Sequence, residues 1–170
     1  MKIKALLAAF FALLVCAMPA LAQTSSPEDR QRFVTIVHNL ERTPLDPGLR
    51  ADRSWAIKWL TDAPDVSVTI CADVLGGVPS KDYAHSPEIL VQYMLGMGAF
   101  AIENPGKADD ADAQQLAGVE SALKAYGVMR TMEPDKKSPA LEKLLALQMR
   151  GELPGFVQKA FRTCMAAGAG

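Results

Sequence analysis

Cys71 stands in the stretch VSVTICADVLGGV, residues 66–78, an apolar run interrupted by a glycine pair. A thiol in such a place can be a nucleophile, a metal ligand or half of a cross-link. Nucleophilic use needs a base within reach and a reason to stay reduced. The chain offers two histidines, His38 and His85, and neither stands in a cysteine-hydrolase pattern. Thiol exchange is also disfavoured, because a C-x-x-C motif is absent. Zinc would ask for several His, Cys or carboxylate ligands at set spacings, and neither H-E-x-x-H nor paired C-x-x-C occurs. No cofactor is expected.

Other residues raise narrower questions. Met94-x-x-Met97 and Met129-x-x-Met132 each place two thioethers one helical turn apart, a soft donor set that could hold copper(I). Flexible core packing explains the same spacing with less. Trp55 and Trp59, at i and i+4, are candidates for a sugar-binding or partner-binding ledge, although their stripe is also how an amphipathic helix docks, which predicts burial. Glu103 closes an apolar helix at the end where the dipole disfavours negative charge, so a compensating group, an arginine, is expected beside it. A carboxylate in a cleft is the functional alternative. Asp109, Asp110 and Asp112 lack the glycine and distal glutamate of a calcium loop and read as a solvated helix start.

These residues need a compartment and a scaffold. The chain opens MKIKALLAAFFALLVCAMPALAQ, with Lys2 and Lys4 before an apolar run and Ala20-Leu21-Ala22 as a small-residue cleavage site. Residues 1–22 are expected to be a cleaved signal peptide and the protein periplasmic or secreted. Pro19 and the A-L-A triplet weigh against an uncleaved anchor, so no stable membrane insertion is expected after cleavage. Loss of Cys16 would leave Cys71 and Cys164, and an oxidising compartment favours a disulfide between them. Loss of the two lysines would take the net charge from −1 to about −3. Nucleic-acid binding is disfavoured, since it requires clustered Lys and Arg against phosphates.

Start signals for helices recur. Ser26-Pro27, Ser86-Pro87 and Ser138-Pro139 each put a capping hydroxyl before a proline at the first helical position, and Asp46-Pro47 has the same form. Helical periodicity then predicts segments at about 27–42, 47–61, 87–103, 109–126, 139–150 and 154–165. Residues 66–71 alternate like a strand and are rich in β-branched side chains. With no second strand to pair with them, a helix over about 65–75, capped by Gly76-Gly77, is expected. The segment 87–103 carries no charge between Glu88 and Glu103, which suits a central core helix; Gly96, Gly98 and Ala99 would admit close neighbours.

The expectation is a single all-α domain over residues 23–166, six or seven short helices around the helix at about 87–103, stapled by Cys71–Cys164, with residues 167–170 a flexible tail. The function expected is binding of a protein or a small apolar ligand in the cell envelope, without catalysis. The alternatives are a copper-binding protein using the methionine pairs and a small enzyme whose carboxylate site, with Glu103, assembles only in the fold.

Overall fold

In a computed structural model, residues 24–78 and 82–168 are described; the expected signal peptide lies outside them. Six α-helices account for the fold: α1 (Pro27–Arg42), α2 (Arg50–Asp62), α3 (Ser86–Glu103), α4 (Ala111–Met132), α5 (Pro139–Met149) and α6 (Leu153–Gly168). Among the described residues there is no strand, and no helix is long and apolar enough to cross a membrane.

The serine caps at Ser26 and Ser138 form as expected. Ser26 accepts from Asp29 N at 3.0 Å and Ser138 from Leu141 N at 3.4 Å, satisfying amides that have no partner within their helices. The other two starts differ. Asp46 caps a short 3₁₀ turn, Pro47–Leu49, and α2 begins only at Arg50. Ser86 is already helical, and His85 holds the capping position with its carbonyl accepting from Ile89 N at 3.1 Å. At the other end of the chain, α6 runs on through residues 167 and 168, which had been expected to fray.

The helix expected over 65–75 does not form. Residues 66–71 run without turn or bend, and only Ala72–Leu75 makes a 3₁₀ turn, closed by Gly76 at φ 67°. Val66, Val68, Thr69 and Ile70 are β-branched and cost rotamer freedom in a helix. The missing neighbour strand is replaced by side chains. Gln114 Nε2 donates to Ser67 O at 3.2 Å, Gln115 Nε2 donates to Thr69 O at 2.6 Å, and the Tyr93 hydroxyl accepts from Cys71 N at 3.2 Å while bonded to Gln115 Oε1. Backbone groups that would be costly to bury unpaired are thereby met by α3 and α4.

α3 lies at the centre, as expected. Ile89, Tyr93 and Met97 face a core built with α4, α5, α6 and the 72–75 turn, which includes Leu75, Val119, Tyr126, Leu141, Leu144 and Val157. Leu95, Ala99 and Ala101 face a second core made with α1 and α2, around Phe33, Val37, Leu40, Ala56 and Leu60. The two glycines of α3 serve the two sides. A side-chain carbon at Gly96 would lie 2.4 Å from Ser121 Cβ, and one at Gly98 would lie 2.9 Å from Leu60 Cδ1. α5 is tied to α4 by Tyr126, whose hydroxyl donates to Glu142 Oε1 at 2.7 Å and accepts from Ser138 N at 3.1 Å. Burial pushes the Tyr126 hydroxyl up to about 12.

The disulfide joins Cys71, buried at the start of the 72–75 turn, to Cys164 on α6, with Cα atoms 6.3 Å apart and a sequence separation of 93. It therefore fixes an irregular segment to the last helix, where a helix-to-helix link had been expected.

Candidate functional site

Two places bring chemistry-bearing side chains together. The first is on α2. Ala56 and Leu60 form its buried face, which leaves Trp55 and Trp59 half-buried on the flank, although burial had been expected for both. Their ring centroids are 6.2 Å apart with planes 19° from parallel, and Trp59 also lies 4.7 Å from the Phe33 ring of α1. Arg32 covers Trp55, with its guanidinium carbon 4.0 Å from the ring centroid. The indoles wall a cavity of about 300 Å³ whose remaining lining includes Asp29, Lys58, Asp62 and Pro64. That volume is at the lower end of the range for ligand sites, roughly 300–1,000 Å³. An apolar wall with carboxylates and an ammonium at its edge can hold a flat apolar group and orient it by polar contacts.

The second place gathers around His38 on α1. Its Nε2 lies 2.9 Å from Glu103 Oε1 at the end of α3, and its Nδ1 lies 3.1 Å from Glu41 Oε2 one turn along its own helix. Glu41 is buried; its Oε1 accepts from Ser121 Oγ at 2.7 Å, and Lys124 Nζ is 3.4 Å from Oε2. Gln92 Nε2 donates to Ser121 Oγ at 2.8 Å, so a polar chain crosses from α1 through α4 to α3. Glu103 is compensated by this histidine, not by the arginine expected for it. When protonated, the imidazole supplies the positive charge that a helix C-terminus favours.

The bond to Glu103, countered by partial burial and helped by the bond to Glu41, raises the His38 pKa above its ordinary 6.5. A histidine that binds its proton more tightly when folded adds stability below pH 6.5, and loses it as pH rises through the folded-state value. Urea unfolding between pH 5 and 8 is therefore expected to show a falling contribution with rising pH that His38→Asn removes. A variant with the same slope as the parent would mean that the clasp does not titrate.

This centre borders a cavity of about 160 Å³ shared by Glu103, Glu120, Lys124 and Ser121. Both ring nitrogens of His38 are occupied by carboxylates, so neither is free to take a proton from a substrate. The two carboxylates also approach opposite edges of the ring, so the three groups do not converge on one metal ion.

The other candidates fall into structural roles. Met97 and Met129 are buried, Met129 Sδ lies 3.6 Å from the Tyr83 hydroxyl that donates to it, and Met132 is exposed. Asp110 caps α4 by accepting from Ala113 N at 3.0 Å, and Asp112 accepts from Gln158 Nε2 at 2.7 Å. His85 bonds to Glu133, which also pairs with Lys136 at 3.0 Å. Of the residues singled out in the sequence, Trp55 and Trp59 meet in one cavity, Cys71 and Cys164 in one bond, and Glu103 stands apart from both. No family model, curated protein or solved structure matches this chain. His38 and Glu41 were missed, although H-x-x-E on a helix was a visible sign of pairing. Ser121 and Lys124 join them from 80 or more residues away, which no local pattern announces.

Proposed function

We propose that the protein is an exported, non-catalytic binding protein of the cell envelope. It takes a flat apolar group, carried by a partner protein or a small ligand, against Trp55 and Trp59. The observation that carries this reading is the half-buried, stacked indole pair walling a cavity of about 300 Å³. By contrast, Tyr93 and Tyr126 are fully buried, as is Phe33, against which Trp59 packs. Aromatic side chains held rigid at a concave surface are the usual anchors of binding sites. Export is supported by the leader-like first 22 residues and by a disulfide, which oxidising compartments preserve. The acid–base and copper readings draw less support, because His38 has no free nitrogen and two of the four methionines of the paired motifs are core side chains.

Both tryptophans of the chain line the cavity, so their emission reports on it without a label. Titration with envelope extract fractions and with aromatic and saccharide ligands is expected to find one that shifts the emission. Trp55→Ala should then weaken binding by about thirtyfold, the equivalent of about 2 kcal/mol at an anchor residue. Ligands that bind the variant as tightly as the parent would place the site elsewhere.

A further inference from the structure

We propose that the extended segment 66–70 is an open edge that takes, as its missing neighbour strand, an extended stretch of a partner protein, apolar at alternate positions and basic at one end. In an extended chain successive residues turn their N–H and C=O groups to opposite edges. The inner edge is closed by side chains. The carbonyls of Ser67 and Thr69 accept from Gln114 and Gln115, and Cys71 N donates to the Tyr93 hydroxyl. The outer edge has no such substitute: the backbone groups of Val66, Val68 and Ile70 form no hydrogen bond with any described residue. That edge borders a cavity of about 400 Å³ walled by Leu60, Thr61, Val66, Val68, Ile70 and Met94, with no residue of α4 in its lining. Alternate side chains of an added strand would enter there while its backbone pairs with the edge.

Folded chains usually guard such an edge with lysine, proline or a bulge. Residues 66–70 read Val-Ser-Val-Thr-Ile, without charge or proline and mostly β-branched. The segment is held in shape before a partner arrives. Ahead of it Asp65 accepts from Ser25 N at 3.0 Å and from Arg30, and behind it Cys71 is fixed by the disulfide. Little ordering entropy is then lost on this side of the contact. Charge selects the occupant. From residue 59 to residue 80 the chain carries Asp62, Asp65 and Asp73 and no lysine or arginine. Lys58 and Arg30 pair with the first two, which leaves Asp73 exposed and in no ion pair among the described residues. A second copy of this chain would bring another Asp73 and no cation for it, whereas a basic residue at the end of a partner strand meets the open charge.

The test pans a display library of random short peptides against the oxidised protein and synthesises the enriched sequences. Enrichment of β-branched or aromatic residues at alternate positions, next to lysine or arginine, is expected. Binding should slow hydrogen exchange at the amides of Val68 and Ile70, and methylating alternate backbone nitrogens of the peptide should abolish it. Ile70→Pro removes an outer-edge donor that the folded chain does not use, so it should melt close to the parent and weaken binding by about fivefold or more, the worth of one backbone bond. Ile70→Thr keeps the amide and the branched shape and should bind within about twofold of the parent. If Ile70→Pro fails to fold, the methylated peptides decide the matter on the intact protein. Trp55→Ala should bind the same peptides unchanged, which keeps this edge apart from the indole cavity. No enrichment, equal binding by the methylated peptides, a loss in Ile70→Thr as large as in Ile70→Pro, or a loss in Trp55→Ala would each overturn the edge. Protection of the same amides as the concentration of the protein alone rises would give the edge to a second copy and overturn the partner strand.

Discussion

Replacing Cys71 and Cys164 together by alanine is expected to lower the stability of the oxidised protein by about 4–5 kcal/mol. The physical source is the unfolded chain. A cross-link between residues separated by 93 positions removes loop-closure entropy that grows with the logarithm of loop length, which gives about that value for a loop of this size. Domains hold only about 5–15 kcal/mol in total, so about a quarter or more of the margin is at stake. For a chain of this length the melting temperature should fall by about 10–18 °C. Urea unfolding separates this origin from simple loss of packing. Releasing the cross-link expands the unfolded ensemble, so the denaturant slope should rise while the midpoint falls. A lower midpoint with an unchanged slope would trace the cost to the buried side chain of Cys71 and not to the constraint. The link also secures the part of the molecule with the fewest backbone bonds of its own, residues 66–71, so local opening there should increase before global unfolding does.

That same segment shows where sequence reasoning was strong and where it failed. α3 was legible because seventeen residues from Pro87 to Glu103 carry charge only at the second and last positions, a composition that fits burial on every side. The cysteine pair was legible by elimination once Cys16 was assigned to a leader. Residues 66–71 were misread because the rule that backbone groups need partners was applied with strands as the sole source. Gln114 and Gln115 supply those partners from α4, and nothing near residue 66 in the sequence refers to them. Trp55 and Trp59 were placed on the right helix, but they lie half-buried on its flank against the core, where full burial was expected. Ala56 and Leu60 take the inward side, and these smaller side chains let α2 approach Gly98 more closely than the indoles would. The His38 centre failed to appear for a different reason. Only its i, i+3 pair is local, while Glu103 and Ser121 arrive through the packing of α1 on α3 and α4.

The second large effect concerns two glycines on one helix that ought to behave alike by propensity and should not. In a helix interior, glycine is worse than alanine by about 1 kcal/mol, so Gly→Ala is ordinarily stabilising. At Gly127 nothing lies within 4 Å of the added carbon, and Gly127→Ala should stabilise by about 0.5–1 kcal/mol. At Gly118 the carbon would stand 2.7 Å from the Tyr93 backbone oxygen, 2.7 Å from Met97 Cγ and 2.8 Å from the Tyr93 ring. A backbone oxygen inside a helix cannot rotate away, so α3 and α4 must separate along their contact. Overpacking of this kind costs about 1–3 kcal/mol, and Tyr93 can hardly yield, because its hydroxyl is held by Cys71 and Gln115. Gly118→Ala is therefore expected to destabilise by up to about 2 kcal/mol after the propensity gain, which separates the two variants by up to about 3 kcal/mol in urea unfolding. The effect should reach beyond the helix pair. Tyr93 anchors residue 71 from the same ring that Gly118 accommodates, so amide exchange in residues 66–71 should quicken in Gly118→Ala and stay unchanged in Gly127→Ala. Equal stability of the two variants would mean that the α3–α4 contact is loose enough to admit a methyl group, and that the glycine marks no close approach at all.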